Sequence, residues 1–150
     1  MKVIVISDSH GNIANLKHVM GFAKKIDAKA VIHCGDWNNV EAVDVVHLSG
    51  VPLYSILGNA DIDPEIGKKI KRVYLEFRFG TKKIGIAHKI NDLELMDNDL
   101  DIAFCGDEHR QYEKVVNGVR VVNPGALENG INFAVYDTAS DKIEFVNDES

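Results

Sequence analysis

The sequence predicts an α/β fold in which parallel strands form the centre of a sheet. Three apolar runs, at residues 3–6, 30–34 and 52–57, alternate with two segments of helical apolar spacing, at 13–26 and 40–48. The runs carry Val and Ile at successive positions, which is typical of strands that are buried on both faces of a sheet. Because strand–helix–strand connections are right-handed and join parallel strands, this order predicts a parallel core.

The helices are predicted from apolar stripes that face this core. The first helix is expected to begin after Gly11, with Asn12 as its cap. Its stripe recurs at helical spacing and consists of Ile13, Leu16, Val19, Met20, Ala23 and Ile26. His33 lies inside the second strand, and we interpret it as a core histidine rather than a ligand.

The second half of the chain is predicted to form hairpins and one further buried strand. Residues 73–79 alternate between apolar and polar, Gly80-Thr81 turns the chain, and 83–87 returns. Asn117-Gly118 between two apolar runs is the strongest short-range signal for a hairpin. The other predicted elements are a short helix at 63–70, a helical turn at 92–98, a strand at 101–105, hairpin strands at 112–116 and 119–122, and a closing hairpin of 133–136 with 142–146.

The composition is that of an ordinary globular protein, and we expect one domain over residues 1–150. The formal net charge is -6 and the sequence has no basic run, so its charge pattern does not predict strong binding to nucleic acid. Polar residues follow Ile6 at once and no apolar run reaches membrane length, so we expect no membrane partner and a cytoplasmic location. Cys34 and Cys105 lack metal-knuckle spacing, and the sequence leaves a homo-oligomer open.

Polar residues that are able to bind metal follow the predicted strands at the point where each strand ends. Their positions are Asp8 and His10, Asp36, Asn59, His88, and Asp107 and His109. Ligands of open α/β sheets bind outside the carboxyl ends of the strands, so these side chains are expected to share one site. Any one of them alone is also consistent with a helix cap or a turn residue.

The donor types indicate which ions such a site would take. Carboxylate, amide and imidazole donors without thiolate suit Mn, Fe, Zn, Ni or Co better than a structural zinc site. The candidate ligands are more numerous than one ion can bind. We therefore expect two divalent ions that share a bridging carboxylate. Among these ions Mn is favoured, because the Asp107 carboxylate is a hard oxygen donor.

These motifs, in this order, resemble the calcineurin-like metallophosphoesterase superfamily. The resemblance rests on Asp8-x-His10, Gly35-Asp36, Gly58-Asn59-x-Asp61, His88 and Gly106-x-x-His109, and it extends to the Asn123-Pro124-Gly125 turn. It is strongest to the small single-domain phosphodiesterases, a branch that also includes the retromer-type scaffold subunit. The resemblance implies a four-layer α/β/β/α sandwich with mixed sheets.

The resemblance also implies roles for the candidate residues. Asp8, His10, Asp36 and His109 would hold one metal ion, and Asp36 would bridge to a second ion held also by Asn59, His88 and Asp107. A hydroxide that bridges the ions would attack phosphorus in line, and the ions would offset the charge of the phosphoryl oxygens. We predict Asn59, Asp61 and His88 to be the catalytic residues of a phosphodiesterase acting on a small phosphate ester or nucleotide.

The sequence departs from the family pattern at three places. Asp107 stands where the family usually has histidine, which adds negative charge and shortens the ligand. Ala60 stands where many members have histidine and this branch often has cysteine, and alanine supplies no proton to a leaving group. General acid catalysis contributes ~10²–10⁴-fold, so slow turnover or a preference for good leaving groups is predicted. Lys89 and Ile90 replace the Gly-His that often follows His88 in this branch.

Two functions follow from these observations. The near-complete ligand set favours a metal-dependent phosphoesterase, with diesters preferred over monoesters. The alternative is a degenerate member that serves as a binding scaffold with weak or no catalysis, which the combination of Asp107 and Ala60 favours.

Overall fold

The computed structural model describes residues 1–97 and 99–148, and these residues form two five-stranded sheets. The strands are β1 (Lys2–Ile6), β2 (Ala30–His33), β3 (Leu53–Ser55), β4 (Tyr74–Phe79), β5 (Lys82–Ala87), β6 (Ile102–Phe104), β7 (Gln111–Val116), β8 (Val119–Pro124), β9 (Ile131–Asp137) and β10 (Lys142–Asp148). The first sheet has the order β10-β9-β1-β2-β3, and the second has the order β4-β5-β6-β8-β7.

Both sheets are mixed. In the first sheet β1, β2 and β3 are parallel, while β9 pairs with β1 in the antiparallel sense. In the second sheet β5, β6 and β8 are parallel, while β4 and β7 add antiparallel edges. The predicted parallel core is therefore confirmed, and the carboxyl ends of the parallel strands point to the site described below.

Strand β1 is buried on both faces, as its Val-Ile run predicts. Ile4 and Ile6 pack in the cluster that includes helix residues such as Leu16 and Val43. Val3 and Val5 pack between the two sheets. The alternation of side chains along a strand explains why neighbouring residues enter different cores.

The helices lie on the outer face of the first sheet. They are α1 (Ile13–Lys25) and α2 (Val40–Leu48), followed later in the chain by the short α3 (Pro64–Gly67). The Asn12 side chain accepts a hydrogen bond from the backbone N–H of Asn15, which confirms the predicted cap. None of the described helices is long and apolar enough to cross a membrane.

The fourth layer is a single 3-10 helix over Ile90–Leu95 on the outer face of the second sheet. Met96 and Leu100 follow it and pack near Gly85, where a Cβ atom would meet Leu100 Cδ1 at 2.6 Å. The α/β/β/α order is confirmed, with this last layer reduced. The predicted helical turn at 92–98 begins earlier than expected, and its residue 98 lies outside the described residues.

Several predicted boundaries were wrong. The third strand is shorter than 52–57, and the helix predicted at 63–70 ends at Gly67. Asn123-Pro124 belongs to β8 rather than to a turn, and Pro124 is the last residue of that strand, where a missing N–H costs little. The closing strands β9 and β10 are longer than predicted because they pair along the full edge of the sheet.

Candidate metal centre

The turns after β1 and β2 are joined by backbone hydrogen bonds. The N–H of Asp8 donates to the carbonyl of Gly35 at 3.0 Å, and the N–H of His10 donates to the carbonyl of Asp36 at 3.0 Å. The two strands are parallel neighbours, so their turns leave the same edge of the sheet. This pairing holds Asp8, His10 and Asp36 at one place.

Most of the predicted metal ligands have a left-handed backbone conformation. The φ angles are 51° at Asp8, 43° at His10, 66° at Asp36, 71° at Asp107 and 55° at His109. Positive φ is uncommon outside glycine, and such residues cluster at functional sites because the surrounding structure must hold them. The left-handed backbone after each strand therefore directs these side chains toward the candidate metal centre.

A first group of ligand atoms forms around Asp8. Its Oδ1 atom lies 3.3 Å from Nε2 of His109 and 3.7 Å from Nε2 of His10. One donor atom from each of these residues lies within 4.8 Å of the others. The group combines one carboxylate with two imidazoles, which suits a first-row divalent metal ion.

A second group shares Asp8 with the first and adds Asp36 and His88. Nε2 of His88 lies 3.2 Å from Oδ2 of Asp36 and 3.9 Å from Oδ1 of Asp8. These donor atoms also lie within 4.8 Å of one another. Oδ2 of Asp36 is in turn 3.5 Å from Nε2 of His10, which links the two groups.

The remaining predicted ligands lie at the margin of these groups. Asp107 places Oδ1 at 3.4 Å from Nε2 of His88. Asn59 lies in the turn after β3, beside Ala60, and is exposed. The structure thus brings Asp8, His10, Asp36, His88 and His109 together, with Asp107 against His88 and Asn59 in an adjacent turn.

Each buried candidate ligand has one polar atom held by protein and one that faces the site. Oδ2 of Asp8 accepts hydrogen bonds from the Ser7 hydroxyl at 2.6 Å and the Asp107 N–H at 2.9 Å. Oδ1 of Asp36 accepts from the Ala60 N–H at 2.8 Å. Nδ1 of His88 lies 2.8 Å from the carbonyl of Cys34. Partners of this kind orient metal ligands in proteins.

The atoms that face the site lack hydrogen bonds. Oδ1 of Asp8, Nε2 of His10 and Nε2 of His88 are buried and have no hydrogen-bond partner among the described residues. A buried polar atom without a partner costs about 1–3 kcal/mol, so a cluster of them indicates a missing ligand. The residues present therefore fit divalent metal ions.

The pKa values of the site residues depend on burial and on the short distances between their charged groups. Burial raises the pKa of Asp8 above its ordinary value, against the hydrogen bond from Ser7. Burial opposes the charged forms of Asp36 and His88, but the contact between them outweighs it. Together with the backbone hydrogen bonds of Asp36 with Ala60 and of His88 with Cys34, that contact lowers the pKa of Asp36 to about 2 and raises the pKa of His88 to about 9. Without metal, the pair is charged at neutral pH.

Gly58 and Gly106 lack a side chain, and the carboxylates of Asp36 and Asp8 occupy the space that a Cβ atom would take. A Cβ atom on Gly58 would overlap Oδ1 of Asp36, and one on Gly106 would overlap the Ser7 hydroxyl and lie 2.5 Å from Oδ2 of Asp8. This close approach explains why glycine stands at positions 58 and 106 of the motifs.

Asp61 contacts the loops rather than the ligand atoms. Its carboxylate accepts hydrogen bonds at 2.7–2.9 Å from the backbone N–H groups of Asp36, Trp37, Asn38 and Gly58. These contacts join the turn after β2 to the turn after β3, which is the role of a positioning residue. A direct catalytic role for Asp61 stays a prediction.

His33 has a structural role beneath the site. It is fully buried, which confirms its interpretation as a core residue, and its ring stacks on Trp37 with centroids 3.6 Å apart. Nδ1 accepts from the Gly35 N–H at 3.1 Å, so Nε2 is left to donate to the Ser9 hydroxyl at 3.0 Å. Burial lowers the pKa of His33 well below its ordinary value.

Sequence reasoning missed Ser7 and Glu128, whose side chains lie beside two of the candidate ligands. Ser7 directly precedes Asp8 at a strand end, so a signal was present. Glu128 lies in a loop far from His109 in sequence, yet its Oε2 atom is 3.6 Å from Nδ1 of that histidine. No local pattern marks it.

Comparison with known proteins identifies similar chains. Residues 1–141 match a family model for the calcineurin-like phosphoesterase superfamily domain. A phosphodiesterase of Methanocaldococcus jannaschii is 20% identical over 138 residues, which cover 83% of this chain and 83% of the relative.

Solved structures show the same fold. An archaeal phosphodiesterase has a TM-score of 0.84 at 20% identity, over 98% of this chain and 99% of its own. Vacuolar protein sorting 29 from Cryptosporidium parvum has a TM-score of 0.68 at 20% identity, over 99% of this chain and 97% of its own.

Proposed function

This chain belongs to the calcineurin-like phosphoesterase superfamily, and we propose that it is a dinuclear metal-dependent phosphoesterase that hydrolyses phosphodiesters. The observation that carries the proposal is the set of converging buried atoms on Asp8, His10 and His88 that have no hydrogen bond among the described residues. A scaffold without metal would be expected to satisfy or replace these atoms.

The two ligand groups suggest how the ions would be divided. We assign Asp8, His10, Asp36 and His109 to one ion, and Asp36, Asn59, His88 and Asp107 to the other. Asp8 lies within reach of both groups in this structure, so it is a second candidate for a shared carboxylate. Bound divalent ions would supply a hydroxide nucleophile at neutral pH and offset charge on the phosphoryl oxygens. Among them we favour Mn, because the Asp107 carboxylate is a hard oxygen donor.

The buried side chains hold the site rigid, and the exposed side chains indicate from which side the substrate approaches. Asp8, Asp36 and His88 are almost fully buried and are held by Ser7 and by backbone groups. His109 and Asp107 are each 38% exposed, so the substrate is expected to reach the site from their side. Ligands held in this way need little reorganisation during the reaction.

The charge of the site favours a diester over a monoester. Asp8, Asp36 and Asp107 each contribute a carboxylate. Two divalent ions together with the hydroxide would therefore leave a net charge of about 0 at the site, which accommodates the single negative charge of a phosphodiester better than the double charge of a monoester. The names of the similar phosphodiesterases support the same preference.

Ala60 limits which leaving groups are suitable. Its N–H donates to Asp36, but its side chain has no proton to give. General acid assistance is worth ~10²–10⁴-fold, so esters with acidic leaving groups are expected to react much faster than alkyl esters.

The test is an assay with an aryl phosphodiester after chelation and reloading with Mn, Ni, Fe, Zn or Co. We expect turnover of bis(p-nitrophenyl) phosphate to exceed that of p-nitrophenyl phosphate, and we expect Asp36→Ala to abolish both. Asp44→Ala is the matched control, because Asp44 is a partly exposed aspartate away from the site that pairs with Lys69 at 2.8 Å. Turnover no higher than that of Asp36→Ala with every metal would overturn the proposal.

The second candidate is a scaffold of the same fold. It is favoured by Asp107 in a ligand position, by Ala60, and by the structural likeness to vacuolar protein sorting 29. Elemental analysis of the purified chain distinguishes the two functions. Two ions per chain support the enzyme, and no bound ion after incubation with each metal supports the scaffold.

A further inference from the structure

We propose that Glu128 is a positioning residue that fixes the tautomer and orientation of His109 for metal binding. Nδ1 of His109 lies 3.6 Å from Oε2 of Glu128, and its Nε2 atom lies 3.3 Å from Oδ1 of Asp8. One ring nitrogen therefore faces the metal centre, while the other faces a carboxylate outside it. The inference rests on the metal site of the proposed function.

Hydrogen bonds of its loop determine where Glu128 lies. The Asn12 side chain donates to the carbonyl of Glu128 at 2.8 Å, and the Asn15 side chain donates to the carbonyl of Leu127 at 2.7 Å. The N–H of Leu127 donates to the carbonyl of Ser7 at 3.2 Å, and the Leu127 side chain is fully buried. Glu128 is thus fixed to the same turn that carries Asp8.

His88 shows the same arrangement with a different acceptor. Its Nδ1 atom lies 2.8 Å from the carbonyl of Cys34, while its Nε2 atom faces Asp36 and Asp8. An acceptor at Nδ1 requires the proton there and leaves the lone pair of Nε2 free for a metal ion. Among the described residues no hydrogen bond joins Nδ1 of His109 to a backbone carbonyl, and the Glu128 carboxylate is the acceptor that faces it.

The separation of 3.6 Å is an ion-pair distance rather than a hydrogen bond. Both side chains are about two-fifths exposed, and we expect a small rotation of either one to bring the two atoms within hydrogen-bond distance. Metal binding at Nε2 makes Nδ1–H a stronger donor, because the ion withdraws electron density from the ring. We therefore expect the contact to shorten in the metal-bound protein.

The first experiment measures metal affinity without any substrate. Glu128→Ala, Glu128→Gln and the wild type are titrated with Mn and with Zn in competition with a chromogenic chelator. Loss of such an outer partner typically lowers metal affinity ~10–100-fold. We expect that loss in Glu128→Ala, and a smaller loss in Glu128→Gln, because the amide oxygen still accepts from Nδ1–H.

The second experiment reads the tautomer of His109 directly. Oδ1 of Asp8 lies 3.3 Å from Nε2 and competes with Glu128 for the proton of the metal-free ring. Nitrogen-15 NMR of the metal-free imidazole at a pH where it is neutral should therefore show more of the proton on Nδ1 in the wild type and Glu128→Gln than in Glu128→Ala. In Glu128→Ala it should shift toward Nε2. Glu65→Gln is the matched control, since Glu65 is an exposed glutamate paired with Lys68. It should leave both the affinity and the tautomer unchanged.

The outcomes separate this inference from the proposed function. Unchanged affinity and tautomer in Glu128→Ala would overturn the positioning role, even if the wild type is an active phosphodiesterase. Equal losses in Glu128→Ala and Glu65→Gln would also overturn it, because they would reflect net charge alone. Failure of the wild type to hydrolyse diesters would remove the proposed function, while the affinity and tautomer results would still decide the role of Glu128.

Discussion

Nε2 of His88 lies 3.2 Å from Oδ2 of Asp36, and each of these side chains is only 4% exposed. In the metal-free protein this contact holds the pKa of His88 at about 9 and that of Asp36 at about 2, although burial opposes both charged forms. The pair therefore stabilises the fold over a defined range of pH.

The first prediction concerns the pH dependence of stability without metal. The pKa of His88 is raised above its ordinary 6.5, so its contribution is full below about pH 6.5 and is lost as pH rises through about 9. The pKa of Asp36 is lowered from 3.8, so its contribution is present above that value and is lost as pH falls through about 2. We expect the melting temperature in EDTA to fall between pH 6.5 and 9.

The control for this prediction is His88→Gln, which removes the titrating group but keeps a polar side chain. Its melting temperature should vary less over the same pH range. Saturating metal should also flatten the wild-type profile, because a bound ion replaces the proton on His88. An identical slope in the wild type and the variant would contradict the prediction.

A second prediction concerns Asp61, whose carboxylate joins two site loops. Asp61→Ala leaves the N–H groups of Asp36, Trp37 and Gly58 without their acceptor. Orphaned donors of this kind cost about 1–3 kcal/mol each when buried, and water reaches part of this loop, so we expect a total loss of roughly 3 kcal/mol. Urea unfolding of the metal-free protein measures it.

Asp63→Ala is the comparison, because Asp63 lies two residues further on and caps only the short helix α3. Loss of such a cap costs about 1 kcal/mol. Metal affinity should fall with Asp61→Ala and stay unchanged with Asp63→Ala, since only Asp61 contacts the loop of Asp36. Equal effects of the two variants on stability and metal affinity would exclude the positioning role.

A third prediction concerns the space beside Gly106. In Gly106→Ala the new methyl group would overlap the Ser7 hydroxyl and approach Oδ2 of Asp8 to 2.5 Å. The carboxylate must then move, so we expect at least a tenfold loss of metal affinity, on the order of 1.4 kcal/mol. Isothermal titration with Mn measures this change.

Gly21→Ala is the matched control, because a Cβ atom at Gly21 meets nothing within 4 Å. Alanine in the interior of α1 should stabilise the protein by roughly 0.5–1 kcal/mol and leave metal affinity unchanged. Full metal affinity in Gly106→Ala would show that the Asp8 carboxylate is not held where the structure places it.

A fourth prediction tests Asp107 as a ligand. Asp107→His replaces a carboxylate 3.4 Å from Nε2 of His88 with a neutral imidazole of longer reach. The site loses one negative charge, which strengthens the Lewis acidity of a bound ion. We expect roughly tenfold higher metal affinity or turnover of an aryl diester, with the larger gain for Zn or Ni than for Mn.

Glu108→Gln controls for charge in the same loop. The Glu108 carboxylate accepts from the Tyr112 hydroxyl at 3.0 Å and pairs with Arg110, so it does not face the ligands. It should change neither metal affinity nor turnover. Unchanged values in Asp107→His would indicate that residue 107 is not a ligand.

Much of this arrangement could be predicted from local sequence. The Val-Ile run of β1 indicates burial on both faces, and Asn117-Gly118 indicates the hairpin of β7 and β8. The positions of Asp8, Asp36, His88 and His109 at strand ends indicate one site, because parallel strands place their carboxyl ends at the same edge. These inferences depend on periodicities and turn preferences that act over a few residues.

The contacts that orient the ligands depend on tertiary structure alone. Asp61 accepts from the loop of Asp36, and Glu128 faces His109, across separations in sequence that no periodicity relates. The left-handed backbone at Asp8 and His10 is likewise held by hydrogen bonds to a neighbouring turn. The sequence by itself thus determined the strands, the identity of the donor atoms and their common edge. Only the packing of the two sheets decided which atom of each donor faces the metal centre, because that choice depends on partners brought together from distant parts of the chain.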